Sequence, residues 1–303
     1  MDSEHREGDV IGAYRVDSVI GSGGMGWVYR ARHALSERVV ALKVQRSDAQ
    51  TNARARDRML REAQILATLT HPGVPRFHEV GLLDDGRPWI AMELVEGTAL
   101  STRLRKGPIE PDDVARIVID VSSVLAAAHD RGLTHRDLKP DNIFLTPLGR
   151  YPIRVLDWGI AHDHAGVRLT NHDEAIGTPT YMSPEQARGG PVGGHCDVYG
   201  LGVIAFHMLA GEVPFPGTNP VEILLQHFNK APGLATRCPH VATGLVEAIE
   251  HMMTKAHDRR PRAHDIEKRL RETHTDYDAY DLGEVVQALP STEQVTTRIR
   301  VRS

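Results

Sequence analysis

The residues best suited to chemistry lie in a polar segment near the middle of the chain, Thr134-His-Arg-Asp-Leu-Lys-Pro-Asp-Asn142. Asp157, the first residue of Asp157-Trp-Gly159, follows fifteen residues after Asn142. Oxygen atoms from an aspartate and an asparagine suit a hard cation such as Mg²⁺, which usually binds through one or two protein groups together with substrate phosphates. Asp137 would remain free to accept a proton. Polar loops rich in turn-forming residues are common, so either piece alone leaves a purely structural interpretation open.

A glycine-rich element with the spacing Gly-x-Gly-x-x-Gly lies near the N-terminus, at Gly21-Ser-Gly-Gly-Met-Gly26. Glycines let the backbone approach a phosphate closely and offer N–H groups without an intervening Cβ. The dinucleotide-binding version of this motif is followed by a helix, but here Trp27-Val-Tyr-Arg30 continues as a strand. The pattern therefore indicates a phosphate-covering hairpin, with a glycine-rich hairpin of no chemical role as the alternative.

Lysine is rare in this chain, with six residues against thirty arginines, and Lys43 lies inside the apolar run Val40-Ala-Leu-Lys-Val44. Strand alternation places Ala41 and Lys43 on one face. A buried ammonium without a partner is costly, so a carboxylate is expected nearby. Glu62, nineteen residues later on a predicted helix, is the candidate. The alternative is that Lys43 reaches solvent and Glu62 lies on a helix surface.

The elements that must position these residues change in type near residue 97. Before it, short apolar runs rich in β-branched and aromatic residues predict an antiparallel sheet, at 14–20, 27–32, 38–44, 74–83 and 88–94. One helix interrupts the strands, because apolar residues between 54 and 69 recur with a period near 3.6 before His71-Pro-Gly73. A small sheet-rich lobe is thus expected first.

After Gly97 the apolar pattern becomes helical. A helix with one apolar stripe is predicted to begin at Asp112-Asp113. Further helices are predicted at 200–211, 220–229, 242–255 and 263–272. The chain is expected to form a small sheet lobe and a larger helical lobe joined by Glu93 to Gly97.

Composition excludes several classes of protein. The chain has 303 residues and a formal net charge of −4, which has the wrong sign for a protein that binds nucleic acid by neutralising phosphates. Two cysteines cannot form a disulfide-stapled scaffold, so a reducing compartment is favoured. The charged N-terminus is unlike a secretory signal, and the longest apolar stretch, Gly200 to Gly211, is too short to cross a bilayer. A cytoplasmic location follows, either as a soluble protein or as the cytosolic part of a longer membrane protein.

In this order and at these spacings, the motifs resemble the eukaryotic-type (Hanks-type) serine/threonine protein kinases, in particular their bacterial branch, from Tyr14 to Glu272. Gly177-Thr-Pro-Thr-Tyr-Met-Ser-Pro-Glu185 resembles the substrate-docking segment, and Asp197-Val-Tyr-Gly-Leu-Gly202 the start of the central buried helix. Arg260 is similar to the arginine that pairs with Glu185 in this family.

The resemblance implies an α+β, bilobal protein kinase fold. The predicted domains are an N-terminal extension (1–12), a kinase domain of an N-lobe (13–95) and a C-lobe (96–272), and a C-terminal tail (273–303). The tail is interpreted as an extension or linker, or alternatively as an added edge strand or a tether that docks on the domain.

The resemblance also implies that the chain transfers the γ-phosphoryl group of ATP to serine or threonine hydroxyls of protein substrates. Asp137 would accept the hydroxyl proton, Lys139 would neutralise the transferring group, and Lys43, oriented by Glu62, would contact the α- and β-phosphates. Metal ions, Mg²⁺ or in its place Mn²⁺, would be held by Asn142 and Asp157. The implied nucleotide-binding residues are Ile20, Gly21, Ser22, Gly23, Gly24, Met25, Gly26, Val28, Ala41, Lys43, Met92, Glu93 and Val95.

Arg136 directly precedes Asp137, a pattern that accompanies activation-loop phosphorylation in this family because an arginine can receive the new phosphate. Thr170, Thr178 and Thr180 are the candidate phosphosites, and Thr170 is the preferred one. A homodimer that phosphorylates itself in trans fits this pattern. Asp173 and Glu174 are expected to stand in partly for a second phosphate.

Two residues depart from the family pattern: Trp158 replaces the usual phenylalanine, and Ser183 replaces the usual alanine before Pro184-Glu185. Neither change removes a catalytic group, so an active kinase is favoured over the alternative, a nucleotide-binding, pseudokinase-like signalling scaffold. The histidines are expected to be solvated or structural rather than metal-binding, and Cys196 is expected to be a core thiol rather than a reactive one.

Overall fold

The computed structural model describes residues 4–23, 26–46, 60, 63–64, 66–146, 151–158, 179–273 and 299–300. Within these residues the chain forms a sheet-rich N-terminal lobe and a helical C-terminal lobe. Gly24, Met25, Glu62, Thr170, Asp173, Glu174 and Thr178 of the predicted site lie outside the described residues.

The N-terminal lobe is built on one sheet with the strand order β1-β2-β3-β4-β6-β5, in which neighbouring strands are antiparallel. Its strands are β1 (Val10–Ile11), β2 (Tyr14–Gly23), β3 (Gly26–His33), β4 (Val39–Gln45), β5 (Phe77–Leu82) and β6 (Pro88–Glu93). Between β4 and β5, residues 60, 63–64 and 66–68 are helical and belong to α1. The sheet predicted from the sequence is therefore confirmed, and the described residues of the predicted helix are helical up to residue 68.

The sheet buries a compact apolar cluster on one face. Tyr29 and Leu42 are fully buried there, and Tyr14 packs edge-on against Trp89 with ring centroids 5.8 Å apart. Ile11 of β1 is also buried in this cluster, although the sequence assigned it to the N-terminal extension. The first strand thus contributes to the core of the lobe.

The C-terminal lobe begins with a short sheet, β7 (Thr98–Ala99), β8 (Ile143–Leu145) and β9 (Ile153–Val155), in the order β7-β8-β9. Its helices are α2 (Leu100–Leu104), α3 (Pro111–His129), α4 (Pro184–Ala187), α5 (Gly194–Ala210), α6 (Pro220–Asn229), α7 (Leu234–Arg237), α8 (Thr243–Met252) and α9 (Ala263–Thr273). Pro111 occupies the first turn of α3, where a missing N–H costs nothing because that group has no partner within the helix. The carboxylates of two aspartates in the same turn are attracted to the positive end of the helix dipole and stabilise the helix.

Helix α5 is buried on nearly all sides and forms the centre of the C-terminal lobe. It ends at Gly211, whose φ of 71° is the left-handed conformation that glycine adopts without strain. The large apolar cluster around α3 and α5 extends to Leu66 of α1 and Ile90 of β6. This continuity of the core ties the two lobes together behind the cleft.

Ile299–Arg300 forms β10, which pairs in parallel with Gly21 and Ser22 of β2. Of the alternatives for the tail, an added edge strand agrees with this pairing. Among the described residues, no helix has the length and apolar character needed to span a membrane.

Candidate active site

A lysine and an aspartate from different lobes meet at the base of the cleft. Lys43 lies in the middle of β4, opposite Val28 of β3 and Ile90 of β6. Its Nζ lies 2.9 Å from Oδ1 of Asp157, a residue 114 positions later in the chain. Burial alone would raise the pKa of the Asp157 carboxyl, but the charge and hydrogen bond of Lys43 outweigh it and lower the pKa. Asp157 is thus held ionised, which is the state in which a carboxylate can bind a cation.

The backbone around Asp157 has an uncommon conformation. Asp157 has a φ of 52°, in the left-handed region that few non-glycine residues adopt. The indole Nε1 of Trp158 donates to the carbonyl oxygen of Val155 at 3.1 Å and closes the turn. Trp158 is 3% exposed, and its ring lies 5.0 Å from that of His135. The bulkier residue therefore fills the site of the usual phenylalanine and adds a hydrogen bond that phenylalanine cannot make.

Asp197, in the first turn of α5, holds the backbone of residues 134–142, the catalytic loop, so named because they include Asp137. Its two carboxylate oxygens accept hydrogen bonds from the backbone N–H groups of His135 and Arg136, each at 2.8 Å, and Oδ2 also lies 2.8 Å from Nε2 of His129. Burial would raise the pKa of this carboxyl, but the contacts to His129 and His135 lower it. Arg136 is held at a φ of 67° by this arrangement.

The tautomer of His135 follows from its partners. Its Nε2 lies 2.8 Å from the carbonyl oxygen of Leu156, which can only accept, so Nε2 carries the proton. Nδ1 then accepts from the backbone N–H of Asp137 at 3.3 Å. Burial lowers the pKa of His135 and keeps the ring neutral. His135 therefore links the segment that carries Asp157 to the one that carries Asp137, in the structural role predicted for it.

The predicted proton acceptor and phosphate-neutralising lysine lie together. Nζ of Lys139 is 2.6 Å from Oδ2 of Asp137. The side-chain amide of Asn142 donates to the backbone carbonyl of Asp137 at 2.8 Å, and the backbone carbonyl of Asn142 accepts from Leu156. These bonds fix the amide of Asn142, so its oxygen is the atom left for a cation.

The glycine-rich hairpin joins β2 to β3, where Gly23 is paired with Gly26. A Cβ on Gly26 would lie 2.2 Å from the backbone oxygen of Val44, so only glycine allows β3 to approach β4 this closely. Ile20 and Val28 lie on these two strands, as predicted, and Gly21 and Ser22, predicted in the hairpin, also belong to β2.

The strand that leads to the connection between the lobes carries the remaining nucleotide candidates. Met92 of β6 is the register partner of Ala41, and Glu93 is paired with Val40. Met92, Lys43 and Trp158 line a small cavity of about 30 Å³ behind the cleft, and Leu66, Val74 and Ile90 provide part of its apolar wall. Val95 follows in the connection itself. The position of Met92 agrees with its predicted place at an inner pocket.

The segment that resembles a substrate-docking element is fixed by a buried ion pair. Nη1 and Nη2 of Arg260 donate to the two carboxylate oxygens of Glu185 at 2.6 and 2.8 Å. The predicted pairing of these residues is confirmed. Ser183 caps α4 in a reciprocal capping box with Gln186, which gives a physical reason for a serine at this position. Gln186 also donates to the backbone carbonyl of Arg136 at 2.7 Å and so connects this segment to the catalytic loop.

Thr180 is half-buried in the short 3₁₀ helix Pro179–Tyr181 of the docking segment. Cys196 is buried and its pKa is raised by burial, in agreement with an inert thiol.

The roles of Asp197 and His129 in holding the catalytic loop were not predicted. A carboxylate inside an almost wholly apolar helix was the available signal, since such a group must be paired.

The donor set suits a hard cation bound together with phosphates. Among the described residues, no three His, Cys, Asp or Glu side chains could hold a metal ion by themselves. Asp157 supplies an ionised carboxylate and Asn142 an oriented amide, which are the one or two protein ligands that Mg²⁺ typically uses. These residues fit a metal that completes its coordination with ATP.

Comparison with known proteins agrees with this geometry. The protein kinase domain family matches residues 14–270. The chain is 36% identical over 280 residues to serine/threonine-protein kinase pkn2 of Myxococcus xanthus, and 34% identical over 299 residues to serine/threonine-protein kinase PrkC of Bacillus subtilis. The alignments cover 90% and 96% of this chain but 34% and 45% of those relatives, so the chain spans less than half of their length.

The fold is also similar to a solved structure, the kinase domain of PknI from Mycobacterium tuberculosis. The two share 28% sequence identity and a TM-score of 0.71, over 88% of this chain and 99% of that one. With the family match over residues 14–270, the paired Lys43 and Asp157 and the organised catalytic loop, the chain belongs to the protein kinase family, in its bacterial Hanks-type serine/threonine branch.

Proposed function

We propose that the chain is an active kinase that transfers the γ-phosphoryl group of ATP to serine or threonine hydroxyls of proteins. The observation that carries this proposal is the convergence of two lysine–carboxylate pairs, Lys43 with Asp157 and Lys139 with Asp137. Phosphoryl transfer depends mainly on the placement of the reacting groups and on charge neutralisation. In each pair the lysine would bind phosphate oxygens, while the carboxylate would bind a metal ion or accept a proton.

In the transfer step, the substrate hydroxyl oxygen forms a bond to the γ-phosphorus while the bond from that phosphorus to the β–γ bridging oxygen breaks. ADP leaves with the bridging oxygen, and the hydroxyl proton passes to Asp137. Lys139, 2.6 Å from the Asp137 carboxylate, neutralises charge on the phosphoryl group as it moves. Asp137 is therefore the residue whose loss should remove transfer while leaving nucleotide binding.

The remaining residues bind and orient ATP. Lys43 would contact the α- and β-phosphates, and the hairpin from Gly21 to Gly26 would cover them, while Ala41 and Met92 border the adenine side. Asn142 and Asp157 would hold Mg²⁺, which supplies charge neutralisation to the phosphates when bound. Because Lys43 and Asp157 contact each other directly, their charges are balanced before the nucleotide arrives.

We also propose autophosphorylation in trans between two copies of the chain, with Thr170 as the preferred acceptor and Thr178 and Thr180 as further candidates. Arg136 supports this proposal, because it neighbours Asp137 and its backbone is fixed by Asp197. The proposed partners are protein substrates and not nucleic acid, and the proposed location is the cytoplasm, where ATP is abundant. The free cysteines Cys196 and Cys238 agree with a reducing compartment.

The test compares wild type with Asp137→Asn in the transfer of radiolabel from γ-labelled ATP to myelin basic protein, followed by phosphoamino-acid analysis. Label on serine and threonine from wild type only is the expected result. Equal labelling by both proteins would contradict the assigned mechanism. Nucleotide binding by wild type without any transfer would favour the scaffold alternative. Mass spectrometry of the labelled chain then identifies its own phosphosites.

A further inference from the structure

A buried chain of polar side chains connects the far side of the C-terminal lobe to the docking segment. Nζ of Lys255 donates to the hydroxyl oxygen of Tyr199 at 3.1 Å, and that hydroxyl lies 2.9 Å from Nδ1 of His227. Tyr199 and His227 are both 0% exposed. Three residues from α5, α6 and the loop after α8 thus form a single hydrogen-bonded row.

The direction of the hydrogen bonds in this row is fixed by its first member. A protonated lysine can only donate, so the hydroxyl of Tyr199 accepts from Lys255, and Nδ1 of His227 is the one acceptor that the described residues offer to the hydroxyl proton. Nδ1 must then be unprotonated. Burial and the charge of Lys255 lower the pKa of His227 to about 3, so the ring is neutral and its one proton lies on Nε2.

Nε2 of His227 is buried and makes no hydrogen bond of good geometry to the described part of the chain. Helix α6, which carries His227, packs against Pro179–Tyr181, and the backbone of Thr180 raises the pKa of His227. Only an acceptor favours the protonated ring, so the group concerned is the Thr180 carbonyl oxygen. A proton on Nε2 can be donated to that carbonyl oxygen. In the other tautomer, the lone pair of Nε2 and a lone pair of the carbonyl oxygen would face each other.

Lys255 is held in a position from which it donates to the Tyr199 hydroxyl. Its ammonium lies 4.4 Å from the ring centre of Phe215 and 5.3 Å from that of Tyr199, within the range of cation–π attraction. No carboxylate among the described residues forms an ion pair with it, so its donor capacity goes to the hydroxyl. Its pKa is lowered to about 8 by burial and by Arg260, so Lys255 remains mostly protonated at neutral pH.

We propose that His227 is a positioning residue for the docking segment: Lys255, acting through Tyr199, places the imidazole proton on Nε2, and this N–H holds the carbonyl of Thr180. The inference rests on the proposed kinase function, because it assigns protein-substrate binding to this segment. The neighbouring residue Tyr181 is anchored separately, through its hydroxyl 3.0 Å from Nδ1 of His207 on α5. Helices α5 and α6 thus fix successive residues of the segment.

The first part of the test is the tautomer itself, which needs no enzymatic activity. The ¹⁵N spectrum of histidine-labelled protein is recorded for wild type, for His227→Gln to assign the signal, and for Lys255→Met. A wild-type His227 signal of the Nε2-protonated form is expected, with a mixture of tautomers in Lys255→Met. A wild-type ring protonated on Nδ1 would overturn the proposal.

The second part separates docking from nucleotide binding by steady-state kinetics with myelin basic protein. His227→Phe keeps a ring but removes the donor, and it should raise KM for the protein at least about fivefold, the factor for one lost buried hydrogen bond, while KM for ATP stays unchanged. His227→Gln, whose amide can donate to Thr180, should restore much of this loss. The control is His240→Gln, which changes an exposed histidine.

An unchanged protein KM in His227→Phe, or an equal rise in KM for ATP, would refute the positioning role. Thermal unfolding of each variant shows whether it is folded, and Tyr199→Phe provides a second, smaller perturbation of the same row. If wild type transfers no phosphate at all, the proposed function fails, and the tautomer measurement still decides whether Lys255 fixes the state of His227.

Discussion

The ion pair between Glu185 and Arg260 provides the sharpest test of how the docking segment is held. The side chain of Arg260 is 0% exposed and that of Glu185 is 7% exposed, and both carboxylate oxygens accept from the guanidinium. In Glu185→Gln, one oxygen becomes an NH₂ group that faces another donor. Removing one charge of a buried pair costs about 3–5 kcal/mol.

The lower end of that range is expected here. Arg260 also donates to the carbonyl oxygens of Thr254, His195 and Lys255, at 2.6, 2.9 and 3.2 Å, and these bonds survive the substitution. We therefore expect Glu185→Gln to lower the free energy of unfolding by about 3 kcal/mol. At about 2 °C per kcal/mol for a domain of this size, its melting temperature should fall by about 6 °C.

The assay is urea and thermal unfolding at pH 7, with Glu247→Gln as the matched control. Glu247 pairs with Arg269 at 3.1 Å, but both side chains are about half exposed, so its loss should cost less than about 1 kcal/mol. Equal destabilisation by the two substitutions would refute the assignment of a large energy to the buried pair.

The pH dependence gives an independent check. Burial would raise the pKa of Glu185, but Arg260 lowers it below the ordinary value of 4.5. A carboxyl with a lowered folded-state pKa contributes stability that is present above its unfolded pKa and lost as the pH falls through its folded pKa. The difference between wild type and Glu185→Gln should therefore shrink below about pH 4.5. A constant difference down to the acid unfolding transition would contradict this reasoning.

Three further predictions concern the hairpin, the α4 cap and the buried histidines. Gly26→Ala should raise KM for ATP and destabilise the N-terminal lobe by about 1–3 kcal/mol, because the added Cβ would meet the Val44 oxygen; wild-type ATP binding by calorimetry would contradict this. Ser183→Ala should cost about 1 kcal/mol in urea unfolding through loss of the capping box with Gln186, and a variant as stable as wild type would show that the cap contributes nothing. Buried histidines such as His135 have lowered pKa values, so the free energy of unfolding should fall as the pH drops below about 6.5. Each such histidine contributes a decrease of up to about 1.4 kcal/mol per pH unit. A free energy of unfolding that stays constant from pH 7.5 to 5.5 would contradict this prediction.

Element types were largely predictable, and the boundaries that differ have physical causes. Strand β2 continues through Gly23, beyond the predicted end at Ile20, because its glycines pair with β3. Strand β5 begins at Phe77 rather than Val74, since Pro75 has no N–H for a ladder. Helix α5 begins at Gly194, before residue 200, where its apolar pattern starts, and before Asp197, where the family resemblance places its start. Packing in the lobe centre overrides the low helix propensity of glycine.

The candidate site was predictable where its residues are close in sequence. Lys139 lies two residues from Asp137, and Asn142 five residues from it, so local chain geometry brings them together. Contacts between residues of distant elements were harder to predict from the sequence. The direct contact of Lys43 with Asp157 was not predicted, and the predicted partner, Glu62, lies outside the described residues.

The sequence by itself determined the family, the two lobes and the residues that carry the chemistry, because these depend on short motifs and on periodic apolar patterns. Tertiary structure alone decided how the motifs are held: Asp197 bonds to a loop more than sixty residues away, and helix α6, which carries His227, packs against the segment that contains Thr180. The physical reason is that a buried polar group must find a partner, but which one it finds depends on how the helices pack.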